Sequence, residues 1–276
     1  MKKILVSMLT LAAVLVVLPM FAAFEAHVIN VTATIENALS VPVTAIEFGT
    51  VFPQEQLEQE LGIALSQSFL SEDRVDDVEY IIRQKPKCAW SWQENNVWHI
   101  DEGSTQTGHV IVGDNPNTDP VETYWINCGE APKVDVPNDA TWGVLPSLCE
   151  YISKHPDGID ESGTVGGNDG SLNSFHKPFT IDGNGNIVWN DVEGRLAKSD
   201  NDKADTWTID LKVPCFGGYC AQDWEKFVTD INPTAIPSEY TQPIGNEHKV
   251  FGCNLWVEVE GVSEDVDEPT DSTDNG

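Results

Sequence analysis

Trp207-Thr-Ile-Asp-Leu-Lys-Val213 places Trp207, Ile209, Leu211 and Val213 on one side of an extended chain and Thr208, Asp210 and Lys212 on the other. Alternation with a period of two is the mark of a half-buried strand, because successive side chains leave opposite faces of the backbone. The same pattern recurs along the chain. Ile29, Val31, Ala33 and Ile35 alternate with Asn30, Thr32, Thr34 and Glu36, and Leu255, Val257 and Val259 alternate with Trp256, Glu258 and Glu260. Val43 to Phe48, Val78 to Ile82 and Thr123 to Asn127 read as further strands. Leu57, Leu61, Ile63 and Leu65 share a parity, although Leu57, Leu61 and Leu65 also fit a helical spacing. Helical spacing otherwise occurs only briefly, in Pro146 to Ser153 and Ala221 to Val228. Many strands separated by turn residues predict an all-β chain, a jelly-roll-like antiparallel β-sandwich with a few short helices.

The middle, about residues 88–196, has weaker periodicity and is rich in Asp, Asn, Gly and Trp. It reads as a long loop insertion pinned by disulfides, carrying a hairpin of Phe179-Thr-Ile181 and Ile187-Val-Trp189 around Asp182-Gly-Asn-Gly-Asn186. The expected domain spans 24–262, and residues 263–276, nearly all acidic, polar, Gly or Pro, form a disordered acidic tail.

Forty-five acidic side chains face 15 basic ones among 276 residues, a net charge of -30. Such a chain repels nucleic acid and anionic membrane faces, so neither is an expected partner. Residues 1–23 begin with Lys2-Lys3, continue as an apolar run from Ile4 to Phe21 and end in Ala22-Ala23. This is the layout of a secretory signal peptide, with cleavage expected between Ala23 and Phe24. A membrane anchor is the alternative, since the run approaches bilayer-spanning length. The cleaved chain has no other long apolar segment, so it is expected to leave the membrane and to act outside the cell or at its surface. Cys88, Cys128, Cys149, Cys215, Cys220 and Cys253 then read as disulfides, an even count suited to an exported protein. The expected pairs are Cys215–Cys220, across Phe-Gly-Gly-Tyr, and Cys88–Cys149. Cys215 or Cys220 joined to Cys253 stands as an alternative.

No nucleophile elbow, zinc-protease helix or phosphate loop occurs, so no catalytic residue is nominated and the chain reads as a non-enzyme. The six histidines are scattered and read as ordinary surface or turn residues. Asp182, Asn184, Asn186, Asn190 and Glu193 fall at positions one, three, five, nine and twelve, the spacing of a calcium loop. Ile187 stands at the sixth position, where such loops need glycine, and a plain polar hairpin tip explains the residues as well. Calcium is therefore a candidate ligand, and no cofactor is required. Trp90, Trp92 and Trp98 read as core aromatics, with an exposed sugar-binding platform as the alternative.

The N-terminal third resembles a known family. A leader ends in Ala-Ala-Phe, the Ile29 to Ile35 strand follows, and then come Ile46-Glu-Phe-Gly-Thr-Val-Phe-Pro-Gln-Glu55, Leu65-Ser-Gln-Ser-Phe69 and Val78-Glu-Tyr-Ile-Ile82. This series is similar to the TasA/camelysin family of secreted bacterial matrix proteins. The resemblance covers about residues 1–85, with weaker agreement over Phe251 to Val262, and the cysteine-bearing insertion departs from it. It implies a jelly-roll domain, processing by a dedicated signal peptidase and assembly into biofilm fibres in which one subunit's N-terminal segment completes its neighbour's sheet.

The sequence supplies a route to such assembly. A strand just behind the new N-terminus is freed by cleavage to add to a sheet edge, with Ile29, Val31, Ala33 and Ile35 in alternate pockets. A head-to-tail contact of this kind does not close, and so makes filaments. The plainer alternative is that this strand pairs within its own domain. The expected function is a structural subunit of an extracellular matrix or cell-surface fibre, with other copies of itself or a surface protein as partner. The alternative is a monomeric binding module or adhesin for a glycan or another surface protein.

Overall fold

A computed structural model describes residues 33–113, 123–156, 170–199 and 201–264. The chain divides into two units, residues 1–35 and 36–276, and the strands below belong to the second. They are β1 (Leu39–Ser40), β2 (Gln56–Leu65), β3 (Val75–Lys85), β4 (Lys87–Glu94), β5 (Val97–Ile100), β6 (Gln106–Thr107), β7 (His109–Val112) and β8 (Tyr124–Asn127). After them come β9 (Thr141–Val144), β10 (Ile152–Pro156), β11 (Phe179–Ile181), β12 (Ile187–Trp189), β13 (Val192–Ala197), β14 (Ala204–Lys212) and β15 (Asn254–Glu264). Two short helices join them, α1 (Gln67–Ser71) and α2 (Trp224–Ile231). The protein is all-β, and every ladder between these strands is antiparallel.

Two sheets, β1-β2-β14-β10 and β13-β3-β15, face each other. The inward residues of β14, Trp207, Ile209 and Leu211, meet Val78, Tyr80 and Ile82 of β3 in one apolar core. Burying a side chain such as Ile63, Ile82 or Leu211 contributes about 1.5–3 kcal/mol each. Polar bonds also cross between the sheets. The Tyr80 hydroxyl bonds Asp205 and accepts from Trp207 Nε1 at 2.8 Å, and Gln84 Nε2 donates to the Ile152 carbonyl at 3.2 Å. On one flank the sandwich is stitched by backbone bonds, Gly170 N to Glu193 O at 2.9 Å and Lys154 N to Leu172 O at 2.8 Å.

The middle region is more ordered than a set of loops. It contributes β10 and β13 to the sandwich itself, and it builds a separate sheet in which β4 pairs β5 and β6 along one edge and β9 along the other. Two hairpins, β7-β8 and β11-β12, complete it. These parts cover the outer face of β13-β3-β15. Ile81 points outward from β3 and is still only 3% exposed, Arg83 lies over the Trp189 ring, and Thr107 Oγ1 accepts from Trp256 Nε1 at 3.0 Å.

Several sequence expectations change. Pro146 to Ser153 forms only a 3-10 turn at Cys149–Tyr151 before β10 begins at Ile152. Leu57 to Leu65 does form the strand its shared parity predicts, and the alternative helical spacing is not used. Val43 to Phe48 alternates but makes no ladder. The β1-β2 register sets Leu39 opposite Leu65 and Ser40 opposite Ala64. Its continuation puts Pro42 opposite Gly62, and proline has no N–H to donate, so the ladder stops. Val43, Ile46, Phe48 and Val51 pack against the core nonetheless.

All six cysteines are bridged, as Cys88–Cys128, Cys149–Cys253 and Cys215–Cys220. The expected Cys88–Cys149 pair is therefore wrong, and neither Cys215 nor Cys220 reaches Cys253. Register explains the outcome. Asn254 pairs with Lys85, which sets Cys253 beside the Lys85 carbonyl that Cys149 Sγ approaches at 3.5 Å.

Candidate functional site

The assembly segment is described only in part. Ile29 and Val31, the leader, and the cleavage residues Ala23 and Phe24 lie outside the described residues, as does the tail beyond Glu264. Ala33 and Ile35 are described, and neither sits in a strand. Ile35 is 94% exposed, a large apolar side chain left in solvent.

The second element of interest is the outer edge of β2. One edge pairs with β14 from Gln56 to Ala64. The other pairs with β1 only at Ala64 and Leu65. Leu65 N donates to Lys203 O on the β14 side, while Ser66 N donates to Ala38 O on the β1 side. Since backbone groups of alternate residues share a direction, the N–H groups of Glu58, Glu60 and Gly62 point away from β14, and no strand among the described residues pairs with them. An unpaired row of donors and acceptors is a template for another strand. Glu58 and Glu60 put negative charge on this edge, a common guard against indiscriminate pairing. The opposite end of the sandwich offers a similar edge along β15, which pairs only with β3 among the described strands.

The residues nominated for calcium fall in three local structures. Asp182 closes the β11-β12 turn: its Oδ1 accepts from Asn184 N and Asn186 N at 2.8 and 2.7 Å, and its Oδ2 accepts from Asn186 Nδ2 at 3.0 Å. Those bonds hold its pKa below the ordinary carboxylate value. Asn190 Nδ2 donates to the Lys177 carbonyl, and Glu193 sits in β13 opposite Ile81. Among the described residues no three His, Cys, Asp or Glu side chains gather as a metal cluster.

Buried titratable groups were the features the sequence hid. Lys154 is fully buried in the sandwich. His176, expected at the surface, is 5% exposed, with Nδ1 2.8 Å from Asn173 O and Nε2 2.6 Å from Gln84 Oε1. Burial, then the charge of Lys154, pushes the His176 pKa down to about 3. Burial raises the Glu150 carboxyl, despite Lys177 nearby. These groups lie on core faces or under helix α2, where Phe175 packs against Tyr151, Trp224, Phe227 and Tyr240.

The tryptophans divide between the faces of the β4 sheet. Trp90 packs on Trp142 at 5.9 Å and donates Nε1 to Pro132 O, and Trp92 stacks on His99 at 5.7 Å. Trp98, opposite Gln93 in the register, belongs to the other face. Three disulfides indicate an oxidising compartment, extracellular or secretory. Among the described residues no helix is long and apolar enough to cross a membrane. No protein-family model, no curated protein and no solved structure matches the chain.

Proposed function

We propose that the chain is a secreted structural protein, a jelly-roll-like subunit of an extracellular matrix or cell-surface fibre, built by addition of one copy's N-terminal strand to the next. The observation that carries this reading is the outer edge of β2 from Gln56 to Ile63, which pairs with no strand among the described residues. Eight residues of edge accept a strand of the length of residues 29–36, whose alternation suits one buried face. Ala33 and Ile35, exposed and outside any strand, are free to order on a partner. The TasA/camelysin resemblance supplies the fibre context and the expectation of signal-peptidase processing. The partner is a second copy of the chain, and no bond-making chemistry is assigned.

Electron microscopy of the protein beginning at Phe24, beside a form lacking residues 24–36, tests the proposal. Filaments from the first and folded monomers from the second are expected. Filaments from the truncated form refute strand donation.

A further inference from the structure

The face of the β4 sheet that carries Trp98 holds a cleft. Ser91 stands opposite Ile100 and Thr141, and Ala89 opposite Gly143, so Ser91, Thr141, Gly143 and Trp98 face one way. With Leu145 and Lys249 they line an open cavity of about 210 Å³. That is smaller than the ~300–1,000 Å³ of sites for drug-sized ligands and suits a single ring.

Gly143 sits inside a strand, where glycine weakens the sheet by about 0.5–1 kcal/mol relative to alanine. Glycine in such a place usually reflects an unusual backbone or something packed closely against it. Gly143 has neither. Its φ is not positive, and a Cβ built on it meets nothing within 4 Å. The vacancy opens into the cleft, leaving a flat floor beneath the Trp98 wall.

The groups around that floor are donors in want of acceptors. Among the described residues no protein acceptor bonds the Trp98 indole N–H or the Ser91 hydroxyl. Lys249 Nζ lies 5.7 Å from the Trp98 ring centroid and donates to Asn246 Oδ1 at 3.1 Å. It makes no salt bridge among the described residues, in a chain with three acids for every base. Indole and ammonium groups donate only, so the matching ligand is rich in acceptor oxygens and carries a negative charge. Among the described residues no acidic side chain lines the cleft to oppose it. Lys249 is the one side chain of fixed charge among the described residues that line the cleft.

We propose that this cleft binds one carboxylate-bearing sugar ring, a uronic acid residue of an acidic polysaccharide, seated over Gly143 against Trp98 with its carboxylate on Lys249. The site is independent of fibre assembly and works equally on a monomer.

Calorimetric titration of the mature protein with trisaccharides of galacturonic, glucuronic and mannuronic acid tests it, with their methyl esters and triglutamate as comparisons. At least one uronide binds, and its uncharged ester binds about tenfold more weakly. Lys249→Gln removes that preference. Gly143→Val fills the floor and abolishes binding of acid and ester alike, with the thermal midpoint unchanged. Should Gly143→Val fail to fold, Trp98→Ala decides, by a loss of about tenfold or more. Absence of uronide binding at millimolar concentration, unchanged affinity in Gly143→Val or Trp98→Ala, or triglutamate binding as tightly as the sugar each overturns the assignment.

Discussion

The side chain of Lys154 reaches from one sheet of the sandwich to the other and donates to the carbonyl oxygen of Ile82 at 3.3 Å. Lys154 faces the core because it stands opposite Ile209 in the β10-β14 register, and it is fully buried. Burial lowers its pKa from 10.5 to about 8, with the Asp191 charge opposing. Below pH 8 the native chain holds a charged, desolvated amine, and this costs about 3 kcal/mol relative to the unfolded chain. Between pH 8 and 10.5 the unfolded chain binds the extra proton, so stability rises with pH and the cost fades. Lys154→Met is expected to raise the urea midpoint at pH 7, with the gap to the native protein closing by about pH 10. A variant less stable than the native protein at pH 7 contradicts this.

His176 acts on the acid side. Its native pKa of about 3 lies below the ordinary 6.5, so the unfolded chain takes up a proton that the folded chain refuses. Stability from the neutral ring is full above pH 6.5 and is lost as pH falls toward 3. Replacing His176 with Asn removes this titration. Denaturant unfolding between about pH 4 and 6 is expected to show a slope shallower by about 1.4 kcal/mol per pH unit. An unchanged slope means the ring already carries its proton in the fold.

Two strand glycines make opposite predictions. A Cβ on Gly194 of β13 lies 2.9 Å from Tyr80 Cε1 and closer still to Cζ, inside the aromatic ring's contact radius. Gly194→Ala therefore drives Tyr80 away from Asp205 and Trp207, at a cost of about 1–3 kcal/mol or more. Gly143→Ala, with empty space around the new methyl, is expected to leave the urea midpoint unchanged or raised. Equal loss in both variants refutes the distinction.

The disulfides should rank by loop length. Cys149–Cys253 closes 104 residues, Cys88–Cys128 closes 40 and Cys215–Cys220 closes 5. Chain entropy gives losses of about 5, 4 and 2 kcal/mol when each pair is replaced by alanine. Urea unfolding of the three double variants under oxidising conditions measures the order, and a largest loss at Cys215–Cys220 contradicts it.

Strands β3, β14 and β15 were legible because each has one apolar and one polar parity. Strand β10 was not, since Ile152-Ser-Lys-His-Pro156 puts a lysine among its core-facing positions. In β4 the alternation is short, with Cys88, Trp90 and Trp92 on one face and Ala89, Ser91 and Gln93 on the other. Val43 to Phe48 misled in the opposite sense, because hydropathy does not register the missing N–H of Pro42. Cys149 meets Cys253 through the pairing of Asn254 with Lys85, a register fixed only in three dimensions. The cleft draws Ser91, Trp98, Gly143 and Lys249 from three separated segments, and no spacing rule joins them.

Proline at Glu60 tests the assembly edge most directly. The Glu60 N–H points away from β14, so Glu60→Pro removes an outward donor and spares the internal ladder, whereas Gln59→Pro breaks that ladder. The account predicts that Glu60→Pro, starting at Phe24, keeps the native circular dichroism and thermal midpoint yet stays monomeric by light scattering while the unsubstituted protein polymerises. Polymers formed by Glu60→Pro at the unsubstituted rate would contradict it.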